Sequence, residues 1–216
     1  PAMRIIRRVF GAATMLAVAV AIFVWFQDAV SGPDMTGFNP QEMGRLESAM
    51  WRSYYEGRWP QLACQTMEGA CGQYGFSWWD GAHSSLHAAR AAHLFRKSTD
   101  EPRCLPELEQ YYAIIWNATG RGFDVRAAAA LELEWWKERR HKVAPKDYAG
   151  TIAQLTALVY GVPEEKVLPA AMMRAEAMAY RDARRDGKMT DADWQEISRQ
   201  LVLGYSSLKK AVTNDR

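Results

Sequence analysis

The sequence predicts an all-α protein: a single N-terminal transmembrane helix followed by a soluble multi-helix bundle of about eight helices. Three observations predict it. An apolar run near the N-terminus carries no charge, helix-start and helix-stop residues recur at helical intervals from Asn39 onward, and no stretch alternates polar and apolar residues between turns as a strand would.

The apolar run is VFGAATMLAVAVAIFVWF, from Val9 to Phe26. A bilayer core needs roughly 17–25 apolar residues, so this run is long enough to span one. Arg4, Arg7 and Arg8 precede it, whereas Asp28, Asp34 and Glu42 follow, with only Arg45 nearby on that side. The positive-inside rule then predicts an inner (cytoplasmic) membrane protein with a cytoplasmic N-terminus and a periplasmic or extracellular C-terminal domain. Trp25 and Phe26 stand where an interfacial aromatic anchor belongs. A cleaved secretory signal shares the basic start, but its apolar core is shorter, and FQDAVSG is a poor small-residue cleavage site. The expected organisation is an anchor over 1–30, a linker over 31–38 and an all-helical extramembrane domain over 39–216.

Asn39 is the expected N-cap of the first helix, with Pro40 at its first position and Glu42 completing a capping-box pattern. A second helix starts near Pro60 and runs to about Tyr74. Ser77 caps a third through Lys97, and Pro106 opens a fourth that stops at Gly120. Asp124 caps VRAAAALELEWWKERRH, rich in residues that lose little entropy in a helix. APKDYAGTIAQLTALVYG gives a sixth, Pro163 begins a seventh that reaches Arg185, and Thr190 with Asp193 caps an eighth to about Val212. The short connections favour antiparallel neighbours.

Hydrophobic residues make up 49% of the chain and charged residues 24%, an ordinary globular balance. A formal charge of +2 is too small to argue for a nucleic-acid partner. Cys64 and Cys71 lie seven apart on one helix, about 10 Å along its axis, too far to bond each other. Up-down packing brings Cys104 level with Cys64, so a Cys64–Cys104 disulfide is expected, with Cys71 a buried thiol.

His83 and His87 share a helical face at the spacing of two zinc-binding histidines. No Glu general base lies between them, and Arg90 on the same face opposes a divalent ion. His93 belongs to a packing stripe with Trp79, Ala82, Leu86 and Ala89. Glu68, Asp80 with His83, Glu109, and Glu138 with His141 have the order of a di-metal carboxylate site. The two half-sites would nevertheless fall at opposite ends of the bundle, roughly 20 Å apart.

DARRDGKMTDADW, from Asp182 to Trp194, resembles an EF-hand calcium loop: Asp182, Asp186 and Asp193 fall at ligand positions and Gly187 at the sharp turn. Arg184 stands where an oxygen ligand belongs, and Asp193 is shorter than the usual glutamate. Helix capping by Thr190 and Asp193 accounts for the same residues.

The chain has nine tryptophans and nine tyrosines, more amphipathic aromatic surface than a small bundle needs. Trp51, Trp59, Trp78 and Trp136 are the candidates for partner contact. The leading functional expectation is a membrane-anchored, non-enzymatic accessory or scaffold subunit that docks on and stabilises a larger membrane complex, respiratory or photosynthetic in type, with the bilayer contacted through residues 9–26. It names no cofactor and no catalytic residue. The alternatives are a periplasmic metal- or calcium-binding module, and an enzyme with an acid/base site around Glu134, Glu138 and His141.

Overall fold

The computed structural model describes residues 32–97, 101–184 and 189–213. The chain divides into two units, 1–32 and 33–216, and the second is described here. Among its described residues are eight α-helices: α1 (Pro40–Glu56), α2 (Trp59–Tyr74), α3 (Trp78–Lys97), α4 (Leu105–Thr119), α5 (Val125–Arg140), α6 (Pro145–Tyr160), α7 (Glu164–Asp182) and α8 (Asp191–Thr213). A 3-10 turn over Glu101–Cys104 leads into α4.

Local chemistry sets the boundaries. Asn39 Oδ1 accepts from the Gln41 and Glu42 amides at 2.9 and 3.4 Å, satisfying donors that the first turn leaves open. Gly57 ends α1 at a φ of 71°, a left-handed conformation that lets two residues turn the chain into α2. Ser77 and Asp80 cap α3 reciprocally, as Thr190 and Asp193 cap α8. At α5, Asp124 accepts from the Arg126 and Ala127 amides.

Each helix packs on the one before it and the one after it, and α8 returns to pack on α1. The eight helices therefore form a closed ring rather than a layered bundle. Small residues hold the seams: Ala91, Ala128, Ala149, Ala153 and Ala175 are fully buried, which lets helix axes approach closely. Gly44 closes the ring, because a Cβ there would lie 2.6 Å from the Val202 amide nitrogen and 2.8 Å from its Cα.

Both ends of the ring are tied. At one end stand the C-termini of α1, α3, α5 and α7. Arg96 donates to the Tyr54 and Tyr55 carbonyls, and Arg140 donates to the Phe95 carbonyl. Arg139 reaches both oxygens of Asp182 at 2.9 and 3.0 Å and the Tyr55 hydroxyl at 2.6 Å. These cations offset the negative ends of four helix dipoles that the up-down ring places side by side. At the other end, residues 33–39 cross the ring. The Asp34 amide donates to the Tyr74 carbonyl at 2.9 Å, and Lys209 donates to the carbonyls of Thr36 and Phe38. Phe38 is buried with its ring edge-on to Tyr74 and Tyr205.

Two expectations are corrected. No helix among the described residues is long and apolar enough to cross a membrane, and the stretch from Val9 to Phe26 lies outside the described residues. The transmembrane fold class, the bilayer as partner, the inner-membrane placement with a periplasmic domain, and the membrane-docked accessory subunit are therefore not carried forward. No disulfide joins Cys64 to Cys104 either. The two start their helices at the same end of the ring, as the up-down argument requires, but α3 packs between α2 and α4. Cys64 ends up exposed, whereas Cys104 is fully buried. Cys71 is half-buried, its thiol directed at the Ser77 carbonyl.

Candidate functional site

A ring of eight helices whose backbones pack chiefly on their neighbours leaves a middle that side chains must fill. They fill it incompletely: a cavity of about 650 Å³ runs through the centre, within the usual range of small-molecule sites. Apolar and aromatic residues make up most of its wall, including Met43, Trp51, Phe95, Tyr111, Trp135 and Tyr205. A space of that size with charged groups in its wall holds water or a ligand rather than standing empty.

A polar cluster sits halfway along the cavity. Arg174 of α7 donates through Nε and Nη2 to one oxygen of Glu47 on α1, at 2.7 and 2.6 Å. Burial pulls the Arg174 pKa down, but the charges of Glu47 and Glu132 and the neighbouring Tyr205 push it further up, so the guanidinium stays protonated. Its side chain keeps 30% of its surface despite lying deep in the ring, because it borders the cavity. The guanidinium lies 5.1 Å from the centre of the Trp135 ring. Glu47 is almost wholly buried, and its Oε2 has no hydrogen-bond partner. The indole N–H of Trp135 also has none.

Glu132 of α5, on the same wall, is held differently. The Tyr112 hydroxyl and the Trp136 indole N–H donate to it at 2.8 and 2.9 Å. Both donors are neutral. Tyr74, Tyr111, Tyr112, Tyr160 and Tyr205 surround this region, and burial pushes all five phenols above their ordinary range, Tyr160 to about 12. They are therefore protonated hydroxyls at neutral pH.

No family model, curated protein or solved structure matches this chain. The cavity alone has to carry the functional reading.

The residues singled out from the sequence mostly lie elsewhere. His83 is exposed, with its ring against Trp79. His87 Nδ1 meets Glu107 Oε2 at 2.6 Å and ties α3 to α4, and His93 packs edge-on to Trp59. Asp182 is bound by Arg139, Asp193 by Thr190, Tyr180 and Arg184, and Asp186 lies outside the described residues. Among the described residues no three His, Cys, Asp or Glu side chains converge as a metal site. The metal and calcium alternatives are corrected on that finding. His87, Asp182 and Asp193 are held by structural partners instead.

Glu134 and His141 are exposed, Glu134 pairing with Lys137 at 2.9 Å, while Glu138 buries one oxygen; none of the three borders the cavity. Trp51 and Trp136 line the cavity, and Trp59 is packed against Tyr54 and His93 near Arg96. Trp78 is 56% exposed.

Glu47, Glu132 and Arg174 were not singled out, although the sequence carries a signal for them. Each charged residue interrupts an apolar stripe at helical spacing: Met43-Glu47-Met50, Ala128-Glu132-Trp135 and Ala171-Arg174-Met178. A charge on a core-facing stripe needs a partner: Glu47 and Arg174 find each other, and Glu132 finds Tyr112 and Trp136.

Proposed function

We propose that this protein is a small-molecule-binding protein whose closed helical ring takes a largely apolar ligand into its central cavity. The observation that carries the reading is the cavity itself: about 650 Å³, aromatic-walled, with a buried polar cluster halfway along it. Preformed apolar sites with a few fixed polar groups are the usual form of small-molecule recognition. The arginine lacing at one end and the 33–39 segment at the other hold the walls in place, so little ordering cost is left for binding.

The test is titration of the full chain with N-phenyl-1-naphthylamine, a neutral dye that brightens in apolar surroundings. Saturable binding is expected, and it should be abolished by filling the cavity. Gly69→Phe is suited to this, because Gly69 borders the cavity and a Cβ there meets nothing within 4 Å. Ala92→Leu, also on the wall, is a second and milder filling variant. Both should keep a cooperative melt and a helical circular-dichroism spectrum. If dye binding is undiminished in folded filling variants, the cavity is not the site and the proposal fails.

A further inference from the structure

The charges around the polar cluster do not balance. Glu47 and Glu132 bring two formal negative charges to the middle of the cavity, and Arg174 brings one positive charge. Both carboxylates lie within electrostatic reach of the same two side chains, Arg174 and Tyr111. The remaining donors to Glu132 are a phenol and an indole, which carry hydrogen bonds but no charge. The second oxygen of Glu47 is buried and accepts no close hydrogen bond; beside that carboxylate stands the Tyr205 hydroxyl, a neutral donor.

Arg96, Arg139, Arg140 and Arg181 also line the cavity, at its end, where other acceptors engage them. Arg96 and Arg140 are spent on helix-terminal carbonyls, and Arg139 and Arg181 share Asp182. Seven residues separate Arg139 from Glu132 and Arg181 from Arg174, which is roughly 10 Å along a helix axis. Each arginine also stands at the negative end of a helix dipole.

On the reading that the cavity binds a small molecule, we infer that its ligand is a protonated amine on an apolar body, with the ammonium seated by Glu47 and Glu132. An ammonium group supplies what the cluster lacks, one positive charge and N–H donors for the open oxygen of Glu47. Trp51, Tyr111, Trp135 and Tyr205 line the same cavity, and aromatic rings attract cations. An anionic ligand of the same shape would add a third negative charge. A neutral alcohol would satisfy the open oxygen and leave the charge.

The experiment displaces bound N-phenyl-1-naphthylamine from the full chain with three probes sharing one rigid body: 1-aminoadamantane, 1-adamantanol and adamantane-1-carboxylate. At a pH where the amine is protonated, it should displace the dye at a concentration about ten-fold or more below the alcohol, with the carboxylate weakest. Glu132→Gln keeps an acceptor oxygen for the Trp136 indole N–H and presents an amide N–H that the Tyr112 hydroxyl can accept, and should reduce the amine-to-alcohol ratio about ten-fold. A general loss of packing would weaken both probes together and leave the ratio unmoved. If the alcohol or the carboxylate displaces as well as the amine, if no probe displaces bound dye, or if the ratio survives Glu132→Gln, the amine inference is overturned while dye binding still supports the cavity reading. If the dye itself does not bind, both fall.

Discussion

Arg174 and Glu47 meet across the ring at 2.6 Å, linking α7 to α1 although those helices are not neighbours, with α8 packed between them. One carboxylate oxygen takes both guanidinium contacts and the other takes none. Such a pair is costly to break from one side, because the survivor is a buried charge without its counterion.

Arg174→Met should therefore destabilise the protein by about 3–5 kcal/mol. The double variant Arg174→Met with Glu47→Leu should recover much of that loss. Urea unfolding of the two single variants and the double variant measures the coupling. Strict additivity would show that the two side chains do not depend on one another.

Two glycine-to-alanine changes should act in opposite directions. A Cβ at Gly44 meets the Val202 Cγ2 and, at 2.6–2.8 Å, the Val202 backbone, which cannot swing away, so Gly44→Ala should cost about 1–3 kcal/mol as α1 and α8 are pushed apart. A Cβ at Gly69 meets nothing within 4 Å, so Gly69→Ala should stabilise α2 by about 1 kcal/mol through helix propensity alone. Thermal melts of both variants check the pair, and a drop in Tm for Gly69→Ala would contradict the position of the cavity.

The tyrosine cluster sets a ceiling on pH. Phenols whose folded pKa lies above the unfolded value of about 10 favour the folded state fully below that value and lose this contribution as pH rises through the folded pKa. Tyr160, held at about 12, and its neighbours should therefore resist ionisation until the protein opens. Tyrosinate absorbance and circular dichroism followed together in an alkaline titration should show late, cooperative ionisation of these phenols with loss of helix. Ionisation of every tyrosine near 10 with the helices intact would show that the cavity is open to water.

The thiols should behave as three independent groups. Cys64 is exposed and Cys104 fully buried, so a thiol reagent should modify Cys64 in the native protein and Cys104 only after unfolding. Reductant should leave the melting temperature unchanged. A fall in Tm on reduction would restore the disulfide that the structure does not contain.

The amino-acid sequence by itself determined the helices. Asn39, Ser77, Asp124 and Thr190 announce helix starts, and each makes the capping contact that its position implies, because a cap depends only on residues within one turn. Even the interior polar residues were visible as charges on apolar stripes. Only the tertiary structure decided that α8 closes on α1, and with that closure which side of each helix faces a cavity, which tryptophans are internal and why Cys64 cannot reach Cys104. Ring closure depends on contacts more than a hundred residues apart, such as Gly44 with Val202 and Glu47 with Arg174, and helical periodicity records that a face is buried without recording against what.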